Sequence, residues 1–342
     1  MDLVAIVLLN HNGQHLLAKF LPSVVQHSHP HRIVVVDNAS EDDSIHCIKQ
    51  NYPQVQYIQL SSNEGFARGY NLALKEIKAR YYVLLNTDVE VTAGWIAPII
   101  QLMDQSPAIG VCQPKILSYQ DKNKFEYAGA GGGFIDSLGY PFCRGRLFDT
   151  LEEDKGQYDD VKEVFWASGA CCFIRASAFH ELGGFDEQFF AYYEEIDLCW
   201  RMQRQGFQIY YCGQSHVYHV GSATMGVINP YKTYLNFRNR ALTLYKNTPT
   251  PAYRWKQWLR IILDLVAAVK ELMLGRSRHC WAILRAQVDF FRLKSSYEPP
   301  QQPDTVNNVY QGLIPFAYFI KKKKKYSALD KAKLYPLVKA LP

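Results

Sequence analysis

Residues 4–40 read VAIVLLNHNGQHLLAKFLPSVVQHSHPHRIVVVDNAS, and their pattern decides the fold class. Val4–Leu9 is a continuous apolar run of the kind found in strands buried on both faces, and Ile33–Val36 repeats it. Between them, Gln14–Gln26 carries apolar side chains at helical spacing. Strand, helix, strand at this distance builds a parallel pair with its crossover packed on the sheet. Working outward, Gln54–Leu60 reads as a weaker third strand and Tyr81–Leu85 as a fourth, with helices predicted over Asp42–Gln50 and Gly65–Lys78. Ser40 followed by Asp43 has the form of a capping signal for the second helix. The expectation is an α/β protein with a mainly parallel sheet and flanking helices. Ligands of such sheets bind beyond the carboxyl ends of the strands.

Each clear strand end is polar. The first runs into Asn10-His11-Asn12-Gly13, the second into Asp37-Asn38-Ala39-Ser40 and the fourth into Asn86-Thr87-Asp88. One such end is an ordinary turn, since Asn, Asp and Gly are turn residues. Three on one edge of one sheet point to a polar ligand site.

The chain has 342 residues and a formal charge of +6, which hides an uneven distribution. Residues 1–231 hold 17 basic and 26 acidic side chains, and the rest hold 21 basic and 6 acidic. The 48% hydrophobic content excludes wholesale disorder. No apolar run approaches the roughly 18–20 residues of a spanning helix, and Leu3–Leu9 lacks the basic flank of a signal peptide. The eight cysteines include no CxxC and fit buried thiols of a reducing cytosol. The run His27, His29, His31 is broken by Pro30 and reads as a solvated loop rather than a metal site.

Further along, residues 110–165 read as an insertion or flap over the site, Trp166–Ile174 as a strand, Ala176–Leu182 as a short helix and Phe207–Tyr211 as another strand. Asn86-Thr87-Asp88-Val89-Glu90 follows an apolar strand, where a carboxylate can hold a hard divalent cation and, through it, a diphosphate. In Asn63–Asn71 (NEGFARGYN), Gly65 opens a helix whose first amides favour an anion, and Arg68 adds a guanidinium. The first βα turn contains only Gly13, so a GxGxxG dinucleotide site is excluded.

The densest chemistry lies in Phe189–Arg201 (FFAYYEEIDLCWR), where Glu194, Glu195 and Asp197 crowd into four positions. A carboxylate in partly apolar surroundings can act as a general base for a hydroxyl. Acids in a first helical turn also suit the helix dipole, and Asp197 can pair with Arg201. His216 and His219 follow in SHVYHVGSAT, a strand-like segment.

The ordered series LLNHNG, VVVDNAS, NEGFARGYN, LLNTDVE, WASGACCFIRASAFHELGGFDEQFFAYYEEIDLCWR and YHVGSAT resembles family 2 glycosyltransferases of the Rossmann-like GT-A fold, and among them the rhamnosyltransferase-like branch. The resemblance covers about residues 3–245, including Asn236–Arg240. It implies an inverting, metal-dependent hexosyl transfer from a nucleotide-diphosphate sugar, such as dTDP-rhamnose or a UDP-sugar. The acceptor is a hydroxyl of a glycan or lipid-linked molecule in cell-surface polysaccharide synthesis. By the resemblance, Asp37 recognises the base, Asn10 and His11 line the nucleoside pocket, and Asn63, Gly65 and Arg68 lie near base and phosphates. Asn86 and Thr87 stand with Asp88 in the acidic motif. Asp88 and His219 become ligands of Mg2+ or Mn2+, and Glu195 the catalytic base. Trp166, Gly169, Glu194 and Asp197 sit near donor sugar or acceptor. Asn86 departs from the family's two-carboxylate pattern.

Residues 246–342 lie beyond the resemblance and form the expected second unit, a helical, basic extension of a catalytic domain at 1–245. Trp255–Leu274 carries an apolar stripe at Trp258, Ile261, Ile262, Leu265, Val269 and Leu272. It suits a helix packed on the domain or one lying on an anionic membrane surface, to which Lys321–Lys325 would add attraction. The expected location is the cytoplasm, on the inner face of the plasma membrane if the tail binds lipid. No nucleic-acid motif accompanies the basic run. A sugar-nucleotide nucleotidyltransferase would share the sheet but needs a phosphate loop after the first strand. A non-catalytic nucleotide-sugar-binding protein would not need Asp88 or Glu195.

Overall fold

The computed structural model describes residues 2–221, 229–301 and 306–335. Strands β1 (Asp2–Asn10), β2 (Arg32–Asp37), β3 (Gln56–Gln59) and β4 (Ala79–Leu85) form a parallel half-sheet in the order β3-β2-β1-β4. Helices α1 (Gln14–His27), α2 (Ser44–Asn51) and α3 (Gly65–Glu76) supply the crossovers. Successive residues of the apolar runs bury themselves on opposite faces. Ala5, Val7, Val34 and Val36 join one core, and Val4, Ile6, Leu8 and Val35 the other. Each Val, Ile or Leu among them contributes about 1.5–3 kcal/mol by leaving water. Register aligns the polar ends, with Asn10 opposite Asp37 and Leu8 opposite Leu85.

The start of α2 differs from the expected cap. Ser40 accepts instead from the Asn10 side chain (3.1 Å) and the Asn12 amide (2.9 Å), so it closes the strand-end loops. Asp42 meets the amides of Ser44 and Gln14.

The second half of the sheet is mixed. It adds β5 (Val89–Val91) and, after α4 (Ala97–Gln105), β6 (Ile109–Ser118). The region expected as a flap is a second, smaller sheet built on β7 (Gly133–Asp136), β8 (Pro141–Cys143), β9 (Arg146–Leu147) and β10 (Thr150–Leu151). The main sheet then gains β11 (Val161–Glu163), β12 (Cys171–Arg175) and β13 (Gln208–His219). β12 enters antiparallel between β4 and β6 because the chain reaches it from the ligand edge. The strand expected from Trp166 therefore starts only at Cys171, and Ser168-Gly169 lies in a loop beside the β4 end. β13 pairs in parallel with β6 and antiparallel with β5, which sets His219 opposite Val89.

Helices α5 (Ala176–Glu181) and α6 (Glu194–Arg204) flank β12 and β13, followed by α7 (Pro230–Asn247), α8 (Thr250–Met273) and α9 (Ser277–Leu293). The expected boundary near residue 245 falls in the last turn of α7. The chain beyond it returns to the body, where β14 (Val309–Tyr310) and β15 (Leu334–Tyr335) complete the small sheet beside β7. The Asp136 carboxylate fastens this return by accepting from the Ile314, Leu138 and Tyr140 amides at 2.9, 2.9 and 2.8 Å. All eight cysteines are free thiols, six of them buried. Among the described residues no helix is long and apolar enough to cross a membrane.

Candidate active site

The aligned strand ends are tied together by side chains. Asp37 is fully buried; its carboxylate accepts from the Asn10 side chain (3.4 Å) and the Ser40 amide (3.2 Å). Asn10 keeps its Oδ1 without a partner, although it too is fully buried. His11 Nδ1 lies 2.9 Å from the Asn38 carbonyl. Asn38 in turn donates to Asn63 Oδ1 and to the Gly65 carbonyl, each at 3.1 Å, so the β2 end holds the start of α3. Sequence reading passed over Asn38 because an Asn after a strand looks like any turn residue.

The expected anion site at that helix start is corrected. The Phe66 and Ala67 amides donate to the Phe190 carbonyl at 2.6 and 3.2 Å, and the Gly65 amide to Asn63 Oδ1 at 3.0 Å. Gly65 is required because φ is +71° and a Cβ would come within 2.5 Å of the Phe190 ring. Arg68 is half exposed and pairs with Glu64 (3.0 Å) and Glu187 (3.7 Å).

At the β4 end, Thr87 and Asp88 are buried, and the Asn86 amide donates to the Ala170 carbonyl. Asp88 Oδ1 lies 3.1 Å from His219 Nε2, and Glu126 Oε2 lies 3.3 Å from Nδ1 of the same ring. Asn86 Nδ2 is 3.4 Å from His219 Nε2. Burial alone would lower the His219 pKa, but the two carboxylates outweigh it and lift it to about 10. Among the described residues no group of three or more His, Cys, Asp or Glu side chains is placed to hold a metal ion. The donor set nevertheless fits an open cation site. Neighbouring octahedral ligands about 2.1 Å from a cation stand roughly 3 Å apart, close to the Asp88–His219 separation. A cation there would displace the proton from His219 Nε2, and Glu126 would then be the carboxylate that orients the ring. Sequence reading missed Glu126, which sits in an irregular stretch before Gly129–Gly133. Position 221 requires glycine, because φ is +73° and a Cβ would stand only 2.5 Å from Glu126 Oε1. Residues 222–224 of the HVGSAT motif lie outside the described residues.

The three acids of α6 have separate surroundings. Asp197 is fully buried between Arg201 (2.8 Å), Lys246 (3.0 Å) and Asn247 (2.9 Å). Burial would raise its pKa, yet those partners hold it below the usual carboxylate range. It is a structural ion, which corrects its expected contact with donor or acceptor. Glu194 is buried with Oε2 unpartnered; burial, and then the neighbouring Glu195 charge, push its pKa well up. Glu195 is partly exposed with an unpartnered Oε2, and burial of its carboxyl lifts its pKa to about 7.

The approach to these acids is strained. Phe190, Tyr192 and Tyr193 all have positive φ (63°, 69° and 74°) without being glycine, at a cost of about 1–3 kcal/mol each. Asn239 of α7 holds the loop open by donating to the carbonyls of Phe189 (2.9 Å), Ala191 (2.9 Å) and Tyr192 (2.8 Å). Arg238 adds bonds to the Gln188 and Phe189 carbonyls. Trp166 is corrected as well. It is 5% exposed, its indole donates to the Phe134 carbonyl at 2.9 Å, and it packs on Gly133, so it joins the two sheets. Gly169 brings the 166–170 loop against Phe66, where a Cβ would stand 3.2 Å from the ring.

The family model "Glycosyl transferase family 2" matches residues 5–183, more than half of the chain. The chain belongs to glycosyl transferase family 2. This glycosyltransferase is 29% identical over 216 residues to the low-salt glycan biosynthesis hexosyltransferase Agl10 of Haloferax volcanii, covering 61% of this chain and 66% of that one. It is 26% identical over 237 residues to an N-acetylglucosaminyl-diphospho-decaprenol L-rhamnosyltransferase of Mycobacterium tuberculosis, covering 64% and 76%. In fold it is similar to GalNAc-T7, solved with UDP, GalNAc and Mn2+, with a TM-score of 0.57, 15% identity, and 90% and 60% of the two chains covered.

Proposed function

We propose that this glycosyltransferase is an inverting hexosyltransferase of cell-surface polysaccharide synthesis. It moves a sugar from a nucleotide-diphosphate donor, dTDP-rhamnose or a UDP-sugar, to a hydroxyl of a glycan or lipid-linked acceptor. The observation that carries the reading is the pairing of functions on one sheet edge. A carboxyl poised near neutrality, Glu195, shares the edge with an Asp88–His219 pair fit for a cation. The Phe190 carbonyl, five residues before Glu195, accepts from the Phe66 and Ala67 amides, and Phe66 meets Gly169 beside the bond from the Asn86 amide to the Ala170 carbonyl. The names of the Haloferax and mycobacterial relatives support hexosyl transfer and a lipid-diphosphate acceptor.

In this reading Glu195 takes the proton of the acceptor hydroxyl, and the oxygen attacks the anomeric carbon from the face opposite the diphosphate. The bond to the diphosphate breaks with inversion. One carboxylate suffices, since no covalent glycosyl-enzyme is formed. Asp88 and His219 would hold Mg2+ or Mn2+, which when bound would supply charge neutralisation for the departing diphosphate. Asp37, with Asn10 and His11, faces the base and nucleoside. Asn63 and Gly65 shape the wall against Phe190, and Asn86 and Thr87 contact the ribose side. Glu194, kept neutral by burial, and Gly169 border the sugar. A lipid-linked acceptor sets the working place at the cytoplasmic face of the plasma membrane.

A panel of nucleotide sugars with manganese or magnesium, scored for donor hydrolysis and thermal stabilisation, tests the reading. Selective stabilisation and turnover by one donor is the expected outcome. Absence of both with every donor would overturn it.

A further inference from the structure

Helix α8 turns the wrong side to the protein. Its charged residues Arg260 and Asp264 are 5% and 3% exposed, whereas its apolar Trp258 and Val266 are 70% and 62% exposed. The inward side is a polar seam. Arg260 donates to the Leu138 carbonyl at 2.9 Å and stacks on Tyr140, 4.0 Å from the ring centre. Asp264 pairs with Arg240 and accepts from Gln287 at 2.8 Å. The outward side runs through Trp258, Ile262, Val266, Val269 and Met273 as one stripe, and from Trp255 to Met273 it extends about 27 Å at 1.5 Å per residue. On α9, packed beside it, Trp281, Val288 and Phe291 are also exposed.

The charges around this face have one sign. Among the described side chains of α8, α9 and their connection, every exposed charge is positive: Lys270, Arg276, Arg278, Arg285 and Arg292. The acids there are turned in or paired, Asp264 with Arg240, Glu271 with Arg276, and Asp289 with Arg285 and Arg292. A polar face inside and an apolar face outside reverses the arrangement of a helix packed on its own domain. Exposed apolar surface of this extent marks an interaction site. Tryptophans among aliphatic side chains with a cationic rim match the interface of an anionic bilayer. A second copy of this chain would bring like charges together across the contact.

We propose that the outward face of α8 and α9 docks the enzyme on an anionic lipid bilayer, with the apolar stripe lying in the headgroup–acyl boundary and the basic rim on the lipid phosphates. The purpose of this contact rests on the lipid-linked acceptor proposed above; the contact itself does not depend on the sugar transferred. A second basic and apolar segment, Phe316–Lys325, exposes Phe316, Phe319 and Ile320 beside its lysines.

The test is flotation of the full chain with vesicles of phosphatidylcholine containing phosphatidylglycerol or none, with donor hydrolysis measured on the same preparations without lipid. Binding is expected to the anionic vesicles and to fall at least tenfold in a Trp258→Gln/Val269→Gln variant, whose donor hydrolysis stays at the parent level. Brominated acyl chains should quench tryptophan fluorescence of the parent. The proposal is overturned by failure of the intact chain to float with anionic vesicles while hydrolysis is normal. It is equally overturned by undiminished binding of the variant, or by a lipid-free dimer that the double substitution dissolves. Loss of donor hydrolysis with binding intact would instead count against the catalytic reading.

Discussion

Glu195 differs from Glu194 and Asp197 through what surrounds it rather than through its chemistry. Asp197 is neutralised by Arg201 and Lys246, Glu194 is sealed in, and Glu195 keeps some contact with solvent and an oxygen without a partner. A base whose pKa lies near 7 predicts a rate that rises with pH through about 7, and in a Glu195→Asp variant a limb displaced from that value. Linkage gives the sign for stability. The folded Glu195 pKa is raised above its usual 4.5, so the folded state binds the proton more tightly. Its contribution is fully present below about pH 4.5 and is lost as pH rises through about 7. Glu195→Gln should therefore melt a few degrees above the parent at about pH 8, and the gap should close near pH 4.5, as followed by calorimetry. Asp197 behaves in the opposite sense. Removing it in Asp197→Ala leaves Arg201 without its carboxylate, Lys246 with Asp186 alone and the Asn247 amide short of an acceptor, and should cost roughly 3–5 kcal/mol in denaturant unfolding.

At the scale of elements, α7 decides whether the 189–193 loop can hold its strained backbone. Asn239→Ala deletes three hydrogen bonds to loop carbonyls. It should lower stability by about 1–3 kcal/mol and lower kcat more than it raises donor KM, since the loop leads directly into the first turn of α6, where Glu195 sits. An unchanged kcat with lowered stability would reduce Asn239 to a purely structural residue. The parallel strands were legible because Val, Ile and Leu run unbroken through them. Strand β6 was not, since Gln113 and Lys115 interrupt its apolar pattern and find partners only in the folded state. Strand β13 was legible only as two pieces, Phe207–Tyr211 and the segment around His216 and His219, because Gly213–Ser215 break its apolar pattern. The acidic motif after β4 and the α6 acids could be read from position and chemistry. The use of the α3 amides by Phe190, the indole bond of Trp166 and the seating of Glu126 against His219 depend on segments far apart in sequence, and no local pattern announces them. The α8 stripe was visible as a stripe, but its outward direction depends on Arg240, which waits on α7 for Asp264.

Across the whole molecule, the acidic body and basic tail divide the work. Some body carboxylates are ion pairs, while Asp88 and Glu126 flank His219 at the ligand edge and Glu194 and Glu195 open α6. The tail closes the small sheet and presents a cationic, apolar face. If Asp88 is a cation ligand, Mn2+ should raise the melting temperature of the parent with its nucleoside diphosphate, and Asp88→Asn should abolish that increment. An equal increment in the variant would remove Asp88 from the site. The central claim, that Glu195 is the base for transfer from a nucleotide sugar, is tested most directly by comparing Glu195→Gln with the parent on two readouts from one preparation: single-turnover sugar transfer and nucleoside diphosphate affinity. Transfer should fall by about 10²–10⁴-fold with affinity unchanged; transfer within a few-fold of the parent would contradict the assignment.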